Sequence, residues 1–175
     1  MSAGAVMHTG MAMVDNVAGA ATTVGDDVLD AVVTAGKAAD SNPFGLAPLV
    51  LDDVDVAATR ADEAAVRIRA LIDQFGEGSL DDAAQAASKD ARIGAHRINM
   101  DGQGRLKKYV DGETLVDPSA RSTILQGDAH LEDANWQLAR KPSPDGRFNG
   151  IDLPGALADT LRASAILREL APKVV

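Results

Sequence analysis

The stretch that decides the fold is AHRINMDGQGRLKKYV, residues 95–110. Read for turns, Asp101-Gly102-Gln103-Gly104 separates two short mixed runs, and this pattern predicts a β-hairpin with a longer loop. Asp111-Gly112 marks another turn, and residues 113–117 and 122–126 then read as further strands. Residues 128–150 are polar and punctuated by Pro142, Pro144, Asp145-Gly146 and Asn149-Gly150. They predict an ordered excursion, or an arm lying on another protein. Pro154 suits a first helical turn, so a final helix is expected over residues 154–169, with Pro172 beyond it. Residues 95–175 therefore read as a small mixed α/β interaction domain with a Pro-rich arm at 141–154.

Working back from the hairpin, residues 52–94 read as a pair of amphipathic helices. Val54, Ala58, Ala61, Ala65, Ile68, Ile72 and Phe75 recur in steps of three and four, and Gly76 supplies a stop. Asp52 or Asp53 is placed to cap this helix, and Glu63 with Arg67 forms an i,i+4 pair on its outer face. Ser79-Leu80-Asp81-Asp82 resembles a capping box and predicts a second helix over residues 80–92, ended by Gly94. Residues 41–51, with the breaker cluster Ser41-Asn42-Pro43-Phe44-Gly45, read as a linker.

The front of the chain, residues 1–40, has a different texture. Residues 1–25 hold one formal charge, Asp15, and the first Leu is Leu29. Four valines favour membrane insertion by about 2 kcal/mol, whereas one central Asp opposes it by roughly 3 kcal/mol, so a transmembrane span is not expected. A signal peptide needs a basic start, and no Lys or Arg precedes Lys37. A 3–4 seam does run through Met7, Val14, Val17, Ala21, Val24, Val28 and Ala31, with acids off the seam. Gly4, Gly10, Gly19 and Gly25 each cost about 1 kcal/mol in a helix, so the segment is expected to need helical partners or stay disordered. These seven seam residues are the expected oligomer interface.

The totals agree with assembly. The formal charge of −9 is uneven: residues 1–59 hold eight acids and one base. Five aromatics serve the whole chain, and Ala and Val supply much of its apolar content. Ala buries little area, so the monomer's core is thin for its length and a partner would add burial. The absence of Cys excludes disulfides and thiolate chemistry. The acidic balance argues against nucleic acid as a partner.

Three candidate sites follow. Residues 89–108 carry six bases and two acids, and Arg97, Arg105, Lys107, Lys108 and Tyr109 form a candidate docking patch for an acidic partner. Trp136, Phe148, Leu157 and Leu161 are candidate client contacts. Asp128, His130 and Asp133 form the densest polar cluster. Asp128 and His130 would share one face of a strand, whereas His130 and Asp133 would be helix neighbours. Either pairing could begin a metal or acid/base site. His96 reads as a surface residue.

The fold class expected is α+β, mainly helical. It has a long N-terminal helical oligomerisation segment, an amphipathic helix pair, and a small C-terminal domain containing a β-hairpin and a final helix. The function expected is a non-enzymatic scaffold or accessory subunit. It would oligomerise through its N-terminal helix and hold a client or sister subunit through its C-terminal half. A cytoplasmic place, peripheral to a membrane, is expected, with secretion as the alternative. In layout, though in no motif, the plan resembles stalk subunits that tether a redox complex near a membrane, such as those of some actinobacterial uptake hydrogenases. That resemblance implies contact with a membrane surface and room in a bundle of small residues for a lipid tail or quinone; otherwise no cofactor is expected. The alternatives are a secreted or virion structural protein, and a small metal-dependent enzyme using His130, Asp128 and Asp133.

Overall fold

The structure is a computed structural model and describes residues 45–170. The chain divides into two units, residues 1–41 and 42–175. The predicted interface residues Met7, Val14, Val17, Ala21, Val24, Val28 and Ala31 lie outside the described residues. The second unit contains α1 (Pro48–Phe75), α2 (Asp82–Ala87), α3 (Lys89–Val110), α4 (Pro118–Leu138) and α5 (Leu153–Leu170).

Each long helix buries a stripe with alternating three- and four-residue steps. On α1 the stripe includes Val54, Ala57, Ala61, Ala64, Ile68 and Leu71. On α3 it is Arg92, Ala95, Asn99, Gly102, Leu106 and Tyr109. On α4 it includes Ala120, Ile124, Gly127, Leu131, Ala134 and Leu138, and on α5 Leu153, Ala156, Thr160, Ala163, Leu167 and Leu170. Such seams close helices around a common axis. Around the ring α1 packs on α3, α3 on α4, α4 on α5, and α5 on α1. Residue pairing fixes the directions. Asp53 meets Tyr109 near one end of the α1–α3 pair, and Gly94 faces Arg67 toward the other. Arg92 reaches Leu138, Gly127 faces Leu167, and Asp62 holds Ser164. Neighbours in the ring are thus antiparallel, giving an up-down-up-down four-helix bundle with α2 as a short extra helix.

This arrangement overturns the α+β expectation. Among the described residues there is no strand, and residues 95–110 are helical, not a hairpin. Gly102 and Gly104 do not turn the chain; neither has a positive φ. Gly102 instead lets α1 approach, since a Cβ there would lie 3.3 Å from the Ala57 carbonyl oxygen. Small seam residues thus substitute close backbone approach for the area that Leu or Phe would bury. The strands expected at 113–117 and 122–126 are absent as well. Asp117 caps α4 by accepting from the Ser119 and Ala120 amides, and Pro118 takes the first helical position.

Other local expectations shift for similar reasons. α1 starts at Pro48, ahead of Asp52 and Asp53, so Asp53 lies inside the helix and is buried. Glu63 pairs with Arg60, 2.8 Å away, which also reaches Asp101. Asp81 caps α2 through Ala84 N–H at 2.7 Å, α2 ends at Ala87, and α3 runs through Gly94. The Pro-rich arm is ordered. Ser143 and Phe148 exchange hydrogen bonds across its turn, and Asp145 holds the Ser143 hydroxyl at 2.7 Å. That bond and those from Arg147 lower the Asp145 carboxyl to about 2. Arg147 then ties the arm to Asp133 of α4 at 2.8 Å.

Polar groups also sit in the bundle's apolar layers. Asn99 of α3 donates across the centre to Thr160 of α5 at 3.4 Å, both fully buried. Asp53 accepts from Tyr109 Oη at 2.6 Å and from Lys108 Nζ at 2.7 Å. Burial alone would raise this carboxyl, but these bonds and the Arg105 charge hold it below its ordinary value.

Candidate functional site

Three cavities lie in series along the groove between α3 and α4. The first, of about 540 Å³, is bounded by α2, the start of α3 and the end of α4. The second, about 320 Å³, shares His96, Asn135 and Ala139 with it. The third, about 240 Å³, shares Met100 and Gln103 with the second. Met100 is half exposed at the middle of the groove, and Trp136 forms part of its α4 wall.

The groove has a polar spine whose direction is set by one carboxylate. Asp128 accepts from Gln103 Nε2 at 3.2 Å, which turns Gln103 Oε1 toward Asn135 Nδ2, 2.8 Å away. Asn135 Oδ1 is then left buried without a partner. Burial raises the Asp128 carboxyl above its ordinary value, opposed by the Gln103 hydrogen bond and reinforced by Glu132 and Asp111.

At the other end of the groove Arg92 is 5% exposed. Its guanidinium donates to Ser88 Oγ at 3.0 Å, the Leu138 carbonyl at 2.7 Å and the Gln85 carbonyl at 2.9 Å. These carbonyls lie at the C-terminal ends of α4 and α2, where a cation offsets exposed acceptors. All three acceptors are neutral. Burial and the like charge of Arg140 lower the Arg92 pKa from its ordinary value.

A second cluster lies between α4 and α5. His130, Asp133 and Asp159 each offer a donor atom within 4.8 Å of the others. His130 Nδ1 is 2.8 Å from Asp159 Oδ1, and Gln137 Nε2 donates to the other Asp159 oxygen at 2.9 Å. One nitrogen and two carboxylates are a donor set that could hold a divalent metal. The same bonds, with Arg147 on Asp133, also tie α4, α5 and the arm together.

Asp128 does not join this cluster. On a helix it and His130 are 200° apart, so it faces α3, whereas His130 and Asp133 share a face. Asp159 was hidden from sequence reading because nothing local marks it. The docking-patch residues are also divided. Arg97 and Arg105 are exposed on α3, and Lys107 pairs with Asp111 at 2.5 Å. Lys108 turns to Asp53, and Tyr109 is fully buried. Of the candidate client contacts, Trp136 lines the groove and Phe148 lies under Arg147 in the arm. Leu157 is half-buried against the core layer of Ile68 and Leu138, and Leu161 is half-buried on α5.

No described helix is long and apolar enough to cross a membrane. No family model, curated protein or solved structure matches this chain.

Proposed function

We propose that this chain is a non-enzymatic accessory subunit. Residues 1–40 gather copies through their small-residue seam, and the helical bundle offers its α3–α4 face to a client. The observation that supports the reading is that the chain divides after Ser41, where the breaker cluster begins, and that the residues beyond it form a bundle with its own core. The second unit has buried layers of its own, including Val54, Leu106, Tyr109, Ile124, Leu131 and Leu167. Such a body can fold while a separate segment supplies assembly. The long groove beside Met100 and Trp136 supplies apolar surface with amide groups at its floor, which suits recognition.

Light scattering of the full chain and of a chain beginning at Gly45 tests this. The full chain is expected to form particles of several copies, and the shortened chain to be monomeric. Equal numbers of chains per particle for both would overturn the assembly reading.

A further inference from the structure

The first cavity of the α3–α4 groove has a distinctive wall. It presents Lys89, Arg92 and Arg140, together with His96, and its lining includes no Asp or Glu. Ile93, Leu138 and Ala139 give it an apolar side. We propose that this cavity binds a small organic carboxylate with an apolar body, its head at Arg92 and its body along Ile93 and Leu138. The site requires neither self-association through residues 1–40 nor a protein client.

Arg92 is the centre of the argument. A guanidinium has five N–H groups, and the three bonds to Ser88, Leu138 and Gln85 leave two uncommitted. Capping two helix ends explains where Arg92 sits. It does not explain why two more bases share its cavity, because like charges around a buried cation are unfavourable; Asp82 reaches Arg140 at 3.9 Å on the exposed rim, outside the cavity lining. A bound carboxylate would set a countercharge against Arg92, whose three acceptors are neutral, and accept in the plane that a guanidinium presents. Lys89 and Arg140 are exposed at the rim and add attraction without being buried. A volume of about 540 Å³ lies in the range of small-molecule sites, and the apolar side requires more than an inorganic anion to fill it. Asn135 adds an unpartnered buried acceptor to the same wall, so a body bearing a hydroxyl is a better match than bare hydrocarbon.

Titration calorimetry on the full chain tests the proposal with three probes: decanoate, decanol and acetate. Saturable binding is expected for decanoate alone, since decanol lacks the head and acetate the body. Amide chemical-shift changes are expected at Gln85, Ile93, His96 and Ala139. Arg92→Gln removes two helix-end contacts and can unfold the bundle, so the deciding variant is Lys89→Gln with Arg140→Gln. It is expected to keep the wild-type melting curve and weaken decanoate binding by roughly three- to tenfold. Ala86→Trp, on the exposed wall, is expected to abolish binding by filling the space. Decanol binding as tightly as decanoate would overturn anion recognition. No decanoate binding up to millimolar concentration, or affinity unchanged in both variants, would overturn the site. Tighter capture of a peptide C-terminal carboxylate than of decanoate would assign the cavity to a protein partner instead.

Discussion

Replacing Gly104 and Gly102 by Ala separates the helical reading of residues 95–110 from a turn, with unequal outcomes expected two residues apart. Both glycines lie inside α3, where Gly costs about 1 kcal/mol relative to Ala. A Cβ on Gly104 meets nothing within 4 Å. Gly104→Ala is therefore expected to stabilise by about 1 kcal/mol, raising Tm by about 4 °C. A Cβ on Gly102 meets the Ala57 carbonyl oxygen at 3.3 Å, Ala57 Cα at 3.4 Å and Arg60 Cβ at 3.4 Å. Two of these belong to backbone and cannot rotate away, so α1 and α3 must part slightly. Overpacking of this kind costs roughly 1–3 kcal/mol, which cancels or exceeds the helical gain. The two variants should differ by about 1–3 kcal/mol. Urea titration followed by the fluorescence of Trp136, the single Trp of the chain, reports on the bundle alone. A lower midpoint for Gly104→Ala, or equal shifts for both variants, would refute the helix packing argued here.

Three further outcomes are expected. Asp53→Asn should cost about 2 kcal/mol at neutral pH by weakening the bonds from Lys108 and Tyr109. Because the fold lowers the Asp53 pKa, its contribution is present above the ordinary value of 3.8 and is lost as pH falls through the folded value. Acid titrations should thus show a steeper loss in wild type than in Asp53→Asn. Asp128 has the opposite sign: its raised pKa makes the ionised form unfavourable in the fold, so stability declines as pH rises through its titration. Asp128→Asn should keep or raise Tm at pH 7 and flatten this part of the pH profile. Gly127→Ala would place Cβ 2.7 Å from Leu167 Cδ2 and should destabilise by roughly 1–3 kcal/mol. Adding Leu167→Ala should remove the clash, so a double-mutant cycle is expected to give a loss smaller than the sum.

The helices differ in how openly the sequence declares them. α1 fills its seam with Val, Ala, Ile and Leu, so its period and its end at Gly76 can be read without a structure. α3 keeps the same period but places Arg92, Asn99 and Gly102 on it, and an apolar-residue template passes over them. α4 carries a local signal in Asp117-Pro118, a cap followed by a first-turn Pro, but the short runs on either side of it have no strong helical period. His130 and Asp133 were legible as helix neighbours. Their partner Asp159 and the Arg92 cavity depend on which helices become adjacent, and that information is not local. The basic stretch at 89–108 was visible as charge. A linear count could not show that Lys108 and Tyr109 serve Asp53 while Arg92 faces the cavity.

The Asn99–Thr160 bond has a consequence for how this bundle can change over time. Ladders of alanine look alike from one turn to the next, so two such helices could slide by a turn at little expense. A lone amide facing a lone hydroxyl removes that freedom, because slippage would strand both against hydrocarbon. Bulk elsewhere in the interior can drift by paired exchanges, whereas this pair, like Asp53 with Tyr109, ties the helices to one alignment.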